Sequence, residues 1–388
     1  MLAATVRVTR DLDLAQECVQ DAFAKALLTW QGGVPNSPGG WLTTVARNRA
    51  VDLLRREQVL GKALPLLIVE EQDPQGPFPD DRLRLVFTCC HPALATETQV
   101  ALALRLLCGL STAEVAHAFL VSEPTMAARI TRAKKKIGQA RIPYRVPIAQ
   151  ELPERVDGVL AVLHLLFTTG HTAPVGDRLT RHDLVERSLD LARMLHSLLP
   201  TPEVTGLLAL IELTDARRAT RTDELGRLLL LEEQDRTRWD RAAIDAAVAK
   251  VRSALQQGPP GRYALQAAIA AVHADARTWQ ETDWREIVAL YGLLERQWPS
   301  PVVALNRAVA TGMADGPEAG LDALDALGSE PALAAYGYFS AARADFLRRL
   351  GRKGEAATAY QEALLLTHNT VERAFLVDRL RSLQTRQA

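Results

Sequence analysis

The chain has 388 residues with 46 basic and 46 acidic side chains, 48% apolar residues and only 5% aromatic ones. That length makes room for two or three domains, each with its own core, and the abundance of Ala and Leu favours helix throughout. No run of about 18 apolar residues exists, and the opening residues, with Arg7, Arg10 and Asp11, lack the apolar stretch of a signal peptide, so a cytoplasmic protein with no membrane partner is expected.

The zero net charge is unevenly shared: residues 1–147 hold 18 basic and 14 acidic side chains, and the remainder hold 28 and 32. A basic front half joined to an acidic back half suits a nucleic-acid module attached to something else.

Residues 1–30 read as helix with a break near Arg10-Asp11-Leu12-Asp13, and Asp13 is expected to cap the second piece. There Leu14, Cys18, Ala22 and Ala26 make an apolar line, which Val19, Phe23 and Leu27 widen. Gln16, Glu17, Gln20 and Asp21 form an acidic and amide face that, taken alone, is solvated surface. QGGVPNSPGG, residues 31–40, is a Gly- and Pro-rich loop. A helix follows, with Trp41, Leu42, Val45, Ala46 and Val51 on one side and Arg47, Asn48, Arg49, Arg55 and Arg56 on the other. By itself this is an ordinary amphipathic helix, although a basic face beginning with Trp also suits a phosphate or single-strand platform.

Between Leu110 and Ile137 two short amphipathic helices flank a tight turn. Val115, Ala116 and Phe119 form the inner face of the first, and Met126, Ile130, Ala133 and Ile137 that of the second. Ser122 is a natural N-cap and Pro124 falls in the first turn, where its missing N–H costs nothing. From Glu123 to Arg141 there are six Lys or Arg against one Glu. The pair reads as a helix-turn-helix whose second, basic helix could enter a major groove; a plain helical hairpin with a solvated face has the same pattern.

Of the four cysteines, Cys89 and Cys90 precede His91, but neighbours on a helix point about 100° apart and cannot readily share one tetrahedral ion. Buried thiols are expected, with no metal, disulfide or cofactor.

The segments DLAQECVQDAFAKAL, WLTTVARNRAVDLLRRE and LSTAEVAHAFLVSEPTMAARITRAKKKI, in that order and at that separation, resemble region 2 and region 4 of bacterial sigma-70 family factors of the extracytoplasmic-function type. DDRLRLVFTCCHPAL, ETQVALALRLLCGLS and IPYRVP resemble a subgroup with a long helical C-terminal extension related to tetratricopeptide repeats. The resemblance implies an all-α protein: region 2 in residues 1–60, a linker over 61–80, region 4 in 81–141 and the extension from 148 to 388. It implies that Gln16, Glu17, Gln20, Asp21 and Phe23 dock on core RNA polymerase. In similar factors the loop from Gln31 to Gly40, here with Asn36, holds a base flipped out of the −10 element, and Trp41, Arg47, Asn48, Arg49, Arg55 and Arg56 would line the strand. Thr125, Ala127, Ala128, Arg129, Thr131 and Arg132 match the positions that contact the −35 element, and Val69–Asp81 matches the inter-domain linker. The chain departs from the pattern in having only ten residues before Asp11, Leu120 where Gly is frequent, and two alanines among the base readers.

Beyond residue 150 the chain is helical again. His164, His171, His182 and His196 are scattered without a ligand-like pair, so structural or surface roles are expected. LLLLEEQDRTRWDRAAI, residues 228–244, reads as a charged helix cap with internal ion pairs, since no nucleophile motif or phosphate loop accompanies its carboxylates. From about residue 262, Tyr291, Leu294 and Pro299, then Gly320, Leu324 and Leu327, then Ala356, Tyr360 and Ala363 recur at a spacing near the tetratricopeptide period. Stacked helix pairs would form a curved solenoid able to hold a regulatory protein. A cis-regulatory extension is the expectation, because tethering behind the DNA-binding module raises its effective concentration. The alternative from another class is a repeat-containing adaptor with a helix-turn-helix; no catalytic constellation points to an enzyme.

Overall fold

The computed structural model describes residues 1–59, 81–119, 121–140 and 142–384. The stretch read as the linker, through Asp80, therefore lies outside the described residues, as does Leu120. The chain forms two compact units, residues 1–166 and 167–388, and among the described residues the regular structure is helical apart from a two-residue parallel pairing and an isolated antiparallel bridge between Thr222 and Leu228.

The first unit opens with α1 (Leu2–Thr9), α2 (Leu12–Thr29) and α3 (Pro38–Val59). The break between α1 and α2 is where the sequence suggests, but its chemistry differs. Arg10 adopts the left-handed conformation, φ 56°, closing α1 through its N–H on the Val6 carbonyl, and Asp11 is the N-cap of α2, accepting from Leu14 N at 2.7 Å. Asp13 sits two residues too late to cap, inside the first turn. Ala22 and Ala26 of α2 meet Leu42 and Ala46 of α3, and alanines at this crossing let the two helices approach closely. Arg49 of α3 donates to Asp21 of α2 at 2.8 Å and locks the pair.

Next come α4 (Asp81–Cys89), α5 (Thr96–Leu102) continued by a π-turn over Ala103–Leu107, α6 (Thr112–Ala118) and α7 (Glu123–Gln139). Val115 and Ala116 of α6 are buried, as are Met126, Ile130, Ala133 and Ile137 of α7. The 3.6-residue period thus turns one stripe of each helix inward. Ser122 accepts from Thr125 N and Pro124 lies in the first turn, as the sequence predicts. Beyond α7, Tyr144 is 1% exposed and its hydroxyl donates to the Ala3 carbonyl at 2.8 Å, with the Asp81 carbonyl at 3.2 Å, so one side chain ties α1 and α4 together.

A long helix, α8 (Leu152–His171), starts in the first unit, where Arg155 donates to the Phe87 carbonyl and its guanidinium lies 5.9 Å from that ring's centroid. The four cysteines are free; burial pushes the Cys18 thiol up to about 11 and the Cys90 thiol up to about 12.

The second unit continues with α9 (His182–Leu198), α10 (Pro202–Asp215), α11 (Arg241–Gln256), α12 (Arg262–Asp275), α13 (Trp284–Gln297), α14 (Pro301–Asp315), α15 (Pro317–Asp325), α16 (Gly337–Arg349), α17 (Lys353–Leu366) and α18 (Thr370–Gln384). From α13 onward each helix packs on the next. The recurring residues fall on alternate helices: Leu294 on α13, Gly320 and Leu324 on α15, and Ala356, Tyr360 and Ala363 on α17 are buried. Gly312 of α14 and Gly320 of α15 cross over the Phe346 ring of α16; a Cβ on Gly312 would stand 2.2 Å from Phe346 Cζ.

Residues 216–240 contain short turns, 3-10 pieces and one antiparallel bridge between Thr222 and Leu228. The ion pairing of the 228–244 segment is not confined to the segment, as its charge alternation suggests: Glu232 pairs with Arg349 at 3.3 Å and Glu233 with Arg379 at 2.6 Å, while Arg241 has a local partner in Asp245 at 3.5 Å. Strands β1 (Val175–Gly176) and β2 (His368–Asn369) pair in parallel, and the buried Asn369 amide donates to the Ala173 and Arg178 carbonyls, each at 2.9 Å.

Candidate nucleic-acid and polymerase interface

Three faces of the first unit, on α7, on α2 and on α3 with its preceding loop, carry the side chains that sequence singles out. On α7, Thr125, Ala127, Ala128, Thr131 and Arg132 are exposed on the side opposite the buried stripe. Arg129 is held rather than free: it pairs with Glu97 at 3.1 Å and its guanidinium lies 5.8 Å from the Phe119 centroid. Ala127 and Ala128 open the middle of this face, so the helix backbone can lie close to a groove while the long side chains flank it. Lys135 and Lys136 are exposed beyond them, adding charge where a phosphate backbone would run.

Lys134 behaves differently from the rest of the lysine run. Its side chain is 11% exposed; Nζ donates to Asp13 at 2.6 Å and also to the Gln16 side chain. The basic helix thereby touches the first turns of α2, within the same unit. The sequence shows three adjacent lysines and offers no local signal for this, because the contact spans 121 residues.

On α2, Glu17 and Gln20 are exposed while Gln16 and Asp21 are half-buried, Gln16 under Lys134 and Asp21 against Arg49. Phe23 is 49% exposed and Leu27 78%, which overturns their assignment to the apolar line; Leu28 is 75% exposed beside them. Spacing at i, i+4 is the same for a core stripe and for a docking stripe, and here the core side is already filled by Ala15, Cys18, Ala22 and Ala26. Leu27 and Leu28 are exposed apolar residues that the sequence reading did not place at the surface.

On α3 and the loop before it, Asn36, Arg47, Asn48 and Arg55 are exposed, Arg49 is paired with Asp21, and the Arg56 side chain lies outside the described part. Trp41 is half-buried against Trp30, ring centroids 5.3 Å apart and planes at 60°, and the Trp30 indole N–H is buried with no hydrogen-bond partner. The pair stands at the two ends of the exposed loop that carries Asn36. Nothing in this arrangement resembles a nucleophile–base pair, and among the described residues no group of His, Cys, Asp and Glu gathers to hold a metal. No helix among them is long and apolar enough to cross a membrane.

Comparison with known proteins agrees with this geometry. Residues 2–59 match the sigma-70 region 2 family, residues 84–137 match sigma-70 region 4, and residues 155–255 match a family of unknown function, DUF6596. An uncharacterized protein of Rhizobium meliloti (strain 1021) is 41% identical over 387 residues, covering 97% of this chain and 91% of the relative. No solved structure matches the chain. With a polymerase-and-promoter module at the front, a helix-turn-helix behind it and a helical second unit attached, the chain belongs to the sigma-70 family, as an extracytoplasmic-function type sigma factor with a C-terminal extension that serves transcription initiation by binding core RNA polymerase and promoter DNA.

Proposed function

We propose that the chain divides promoter recognition between two DNA contacts and one polymerase contact. Residues 1–60 capture the −10 strand through Asn36, Trp41, Arg47, Asn48, Arg49, Arg55 and Arg56, and dock on core polymerase through Gln16, Glu17, Gln20, Asp21 and Phe23. Residues 81–141 read the −35 element through Thr125, Ala127, Ala128, Arg129, Thr131 and Arg132, with residues 61–80 as linker. Bond-making belongs to the polymerase. This chain supplies orientation and offsets the few kcal/mol that unstacking a promoter base costs.

The observation that carries the reading is the one-sided exposure of α7: its apolar stripe is buried, while Thr125, Ala127, Ala128, Thr131 and Arg132 face outward from a capped, basic helix. Arg129 and Arg132 lie one turn apart, which suits one for a base edge and the other for phosphate.

Residues 148–388, with tetratricopeptide-like repeats from about 262, regulate the sigma modules in cis in the cytoplasm of a bacterial cell, and the repeat surface also offers room for a regulatory protein. Support comes from direct tethering and from the alternation of repeat positions on α13, α15 and α17.

The test is run-off transcription with purified core polymerase on fragments upstream of the protein's own gene. Specific transcripts that vanish with Arg132→Ala or Asn48→Ala are expected. Transcripts indifferent to both changes would sink the assignment of these two faces. For regulation, the extension is removed after α8 rather than before it, because Arg155 belongs to the packing of the first unit. Unchanged output after that removal would end the cis-regulatory reading.

A further inference from the structure

The second unit holds a cavity of about 300 Å³. That is far more than the water-sized voids of a packed interior, and it stands at the small end of the roughly 300–1,000 Å³ that small-ligand sites span. Segments distant in sequence meet around it: the turn carrying Leu230 and Leu231, the loop carrying Trp279, and Met313 of α14, Tyr338 of α16 and Phe375 of α18. Tyr338 is 49% exposed, so the cavity reaches the surface.

Every ionisable side chain in the wall already has a partner within the unit. Arg349 pairs with Asp345 at 2.7 Å and with Glu232 at 3.3 Å, and Asp345 also accepts from Arg348 at 2.6 Å. Arg379 pairs with Glu233 at 2.6 Å, and its guanidinium lies 4.9 Å from the Phe375 ring centroid. The Tyr338 hydroxyl donates to Glu372 at 2.6 Å, and the Tyr360 hydroxyl is hydrogen-bonded to Arg348. What the wall has left to offer a ligand is leucine, alanine and methionine surface together with aromatic rings.

That pairing decides the charge of an occupant. An anion would have to draw Arg349 or Arg379 away from its carboxylates, and a cation would have to draw the carboxylates from their arginines; either way a charge is left desolvated without its partner. An uncharged molecule disturbs none of these pairs. The wall also has a part that can give way. Leu228 to Leu231 are four consecutive leucines, all only half-buried, and the turn they form is pinned to α16 and α18 by Glu232 and Glu233 directly behind them. Partly exposed ion pairs of this kind hold weakly, so the turn can move aside to admit a ligand and close over it.

We propose that this cavity binds a compact, uncharged aromatic molecule, seated against Trp279, Tyr338 and Phe375 and covered by the leucine turn. Affinity comes from apolar area removed from water and from ring-to-ring contact, and selection against charged analogues comes from the closed set of ion pairs around the wall. The site goes beyond the sigma-factor reading and stands independently of it, since every residue involved lies in the second unit.

The experiment is isothermal titration of the full chain with three probes that share one ring system: naphthalenemethanol, which is uncharged, naphthoate, an anion, and naphthylmethylammonium, a cation. Saturable one-to-one binding of the alcohol is expected, with both charged probes weaker by about tenfold or more. Ala342 also lines the cavity, and Ala342→Phe, which puts a ring into that space, should abolish binding of the alcohol while the helical circular dichroism stays as in wild type. If Ala342→Phe does not fold, Leu230→Gln takes its place; an amide in the wall should weaken the alcohol about tenfold. Absence of saturable binding by the alcohol overturns the proposal. So does a charged probe that binds as tightly as the alcohol, or alcohol binding that the folded variant leaves unchanged.

Discussion

Gly312→Ala tests whether the crossing of α14, α15 and α16 is as tight as the geometry says. The new Cβ would stand 2.2 Å from Phe346 Cζ, 2.6 Å from Cε1 and 2.9 Å from the Gly320 Cα. Phe346 is 1% exposed, so the ring has no free volume into which to swing, and Gly320 presents backbone that cannot yield alone. Overpacking of this kind costs about 1–3 kcal/mol, which for a unit of this size lowers the melting temperature by roughly 2–10 °C. Phe346→Leu removes the clashing ring atoms, at a cost of about 1 kcal/mol on its own. The double variant should therefore be less destabilised than the sum of the singles by about 1 kcal/mol or more. The assay is calorimetry of the full chain, following the transition of the second unit in all four proteins of the cycle. Strict additivity, or a Gly312→Ala protein within about 0.5 kcal/mol of wild type, would refute the reasoning.

Other outcomes follow from the same structure. Tyr144→Phe leaves the Ala3 and Asp81 carbonyls without their buried donor and should cost about 1–3 kcal/mol in urea unfolding of the first unit; a neutral substitution would mean the hydroxyl is dispensable. Leu27→Glu, at a position 78% exposed, should leave stability within about 0.5 kcal/mol yet abolish co-elution with core polymerase, and unchanged co-elution would remove Leu27 from the docking stripe. His273 is pushed down from its ordinary value to about 4 by burial and by Arg217 and Arg236. The unfolded chain then binds the proton first, so stability conferred by the neutral ring is present above about pH 6.5 and lost as pH falls toward 4, by up to about 3 kcal/mol. His273→Gln should flatten that fall in the melting temperature of the second unit, and an equally steep fall would place the titration elsewhere.

Legibility from sequence followed the range of the interactions. The two faces of α7 were readable because burial of Met126, Ile130, Ala133 and Ile137 repeats with the helix itself, and the Ser122 cap is a contact over three residues. The cap of α2 was readable in kind but not in register: it was expected at Asp13, and the left-handed turn at Arg10 moves it to Asp11. The exposure of Phe23 and Leu27 was not readable because an exposed apolar stripe and a core stripe share one period. Lys134 with Asp13, Glu232 with Arg349, and Trp239 with Thr220 are all contacts between separated segments, which leave no periodic trace in the chain.

The pairing of β1 with β2 changes what kind of object the extension is. A row of stacked helix pairs has two ends, and its last member, bonded on one side only, frays first and most often. Here Asn369 fastens the start of α18 to residues 173–178 at the opposite end of the same unit. The row becomes a loop with its final member clasped, so opening α18 requires breaking a buried amide latch as well as its neighbour contacts. The amide protons of α18 should therefore exchange with solvent as slowly as those of α17, and loosening the clasp with Asn369→Ala would turn one cooperative unit into a chain that peels from its tail.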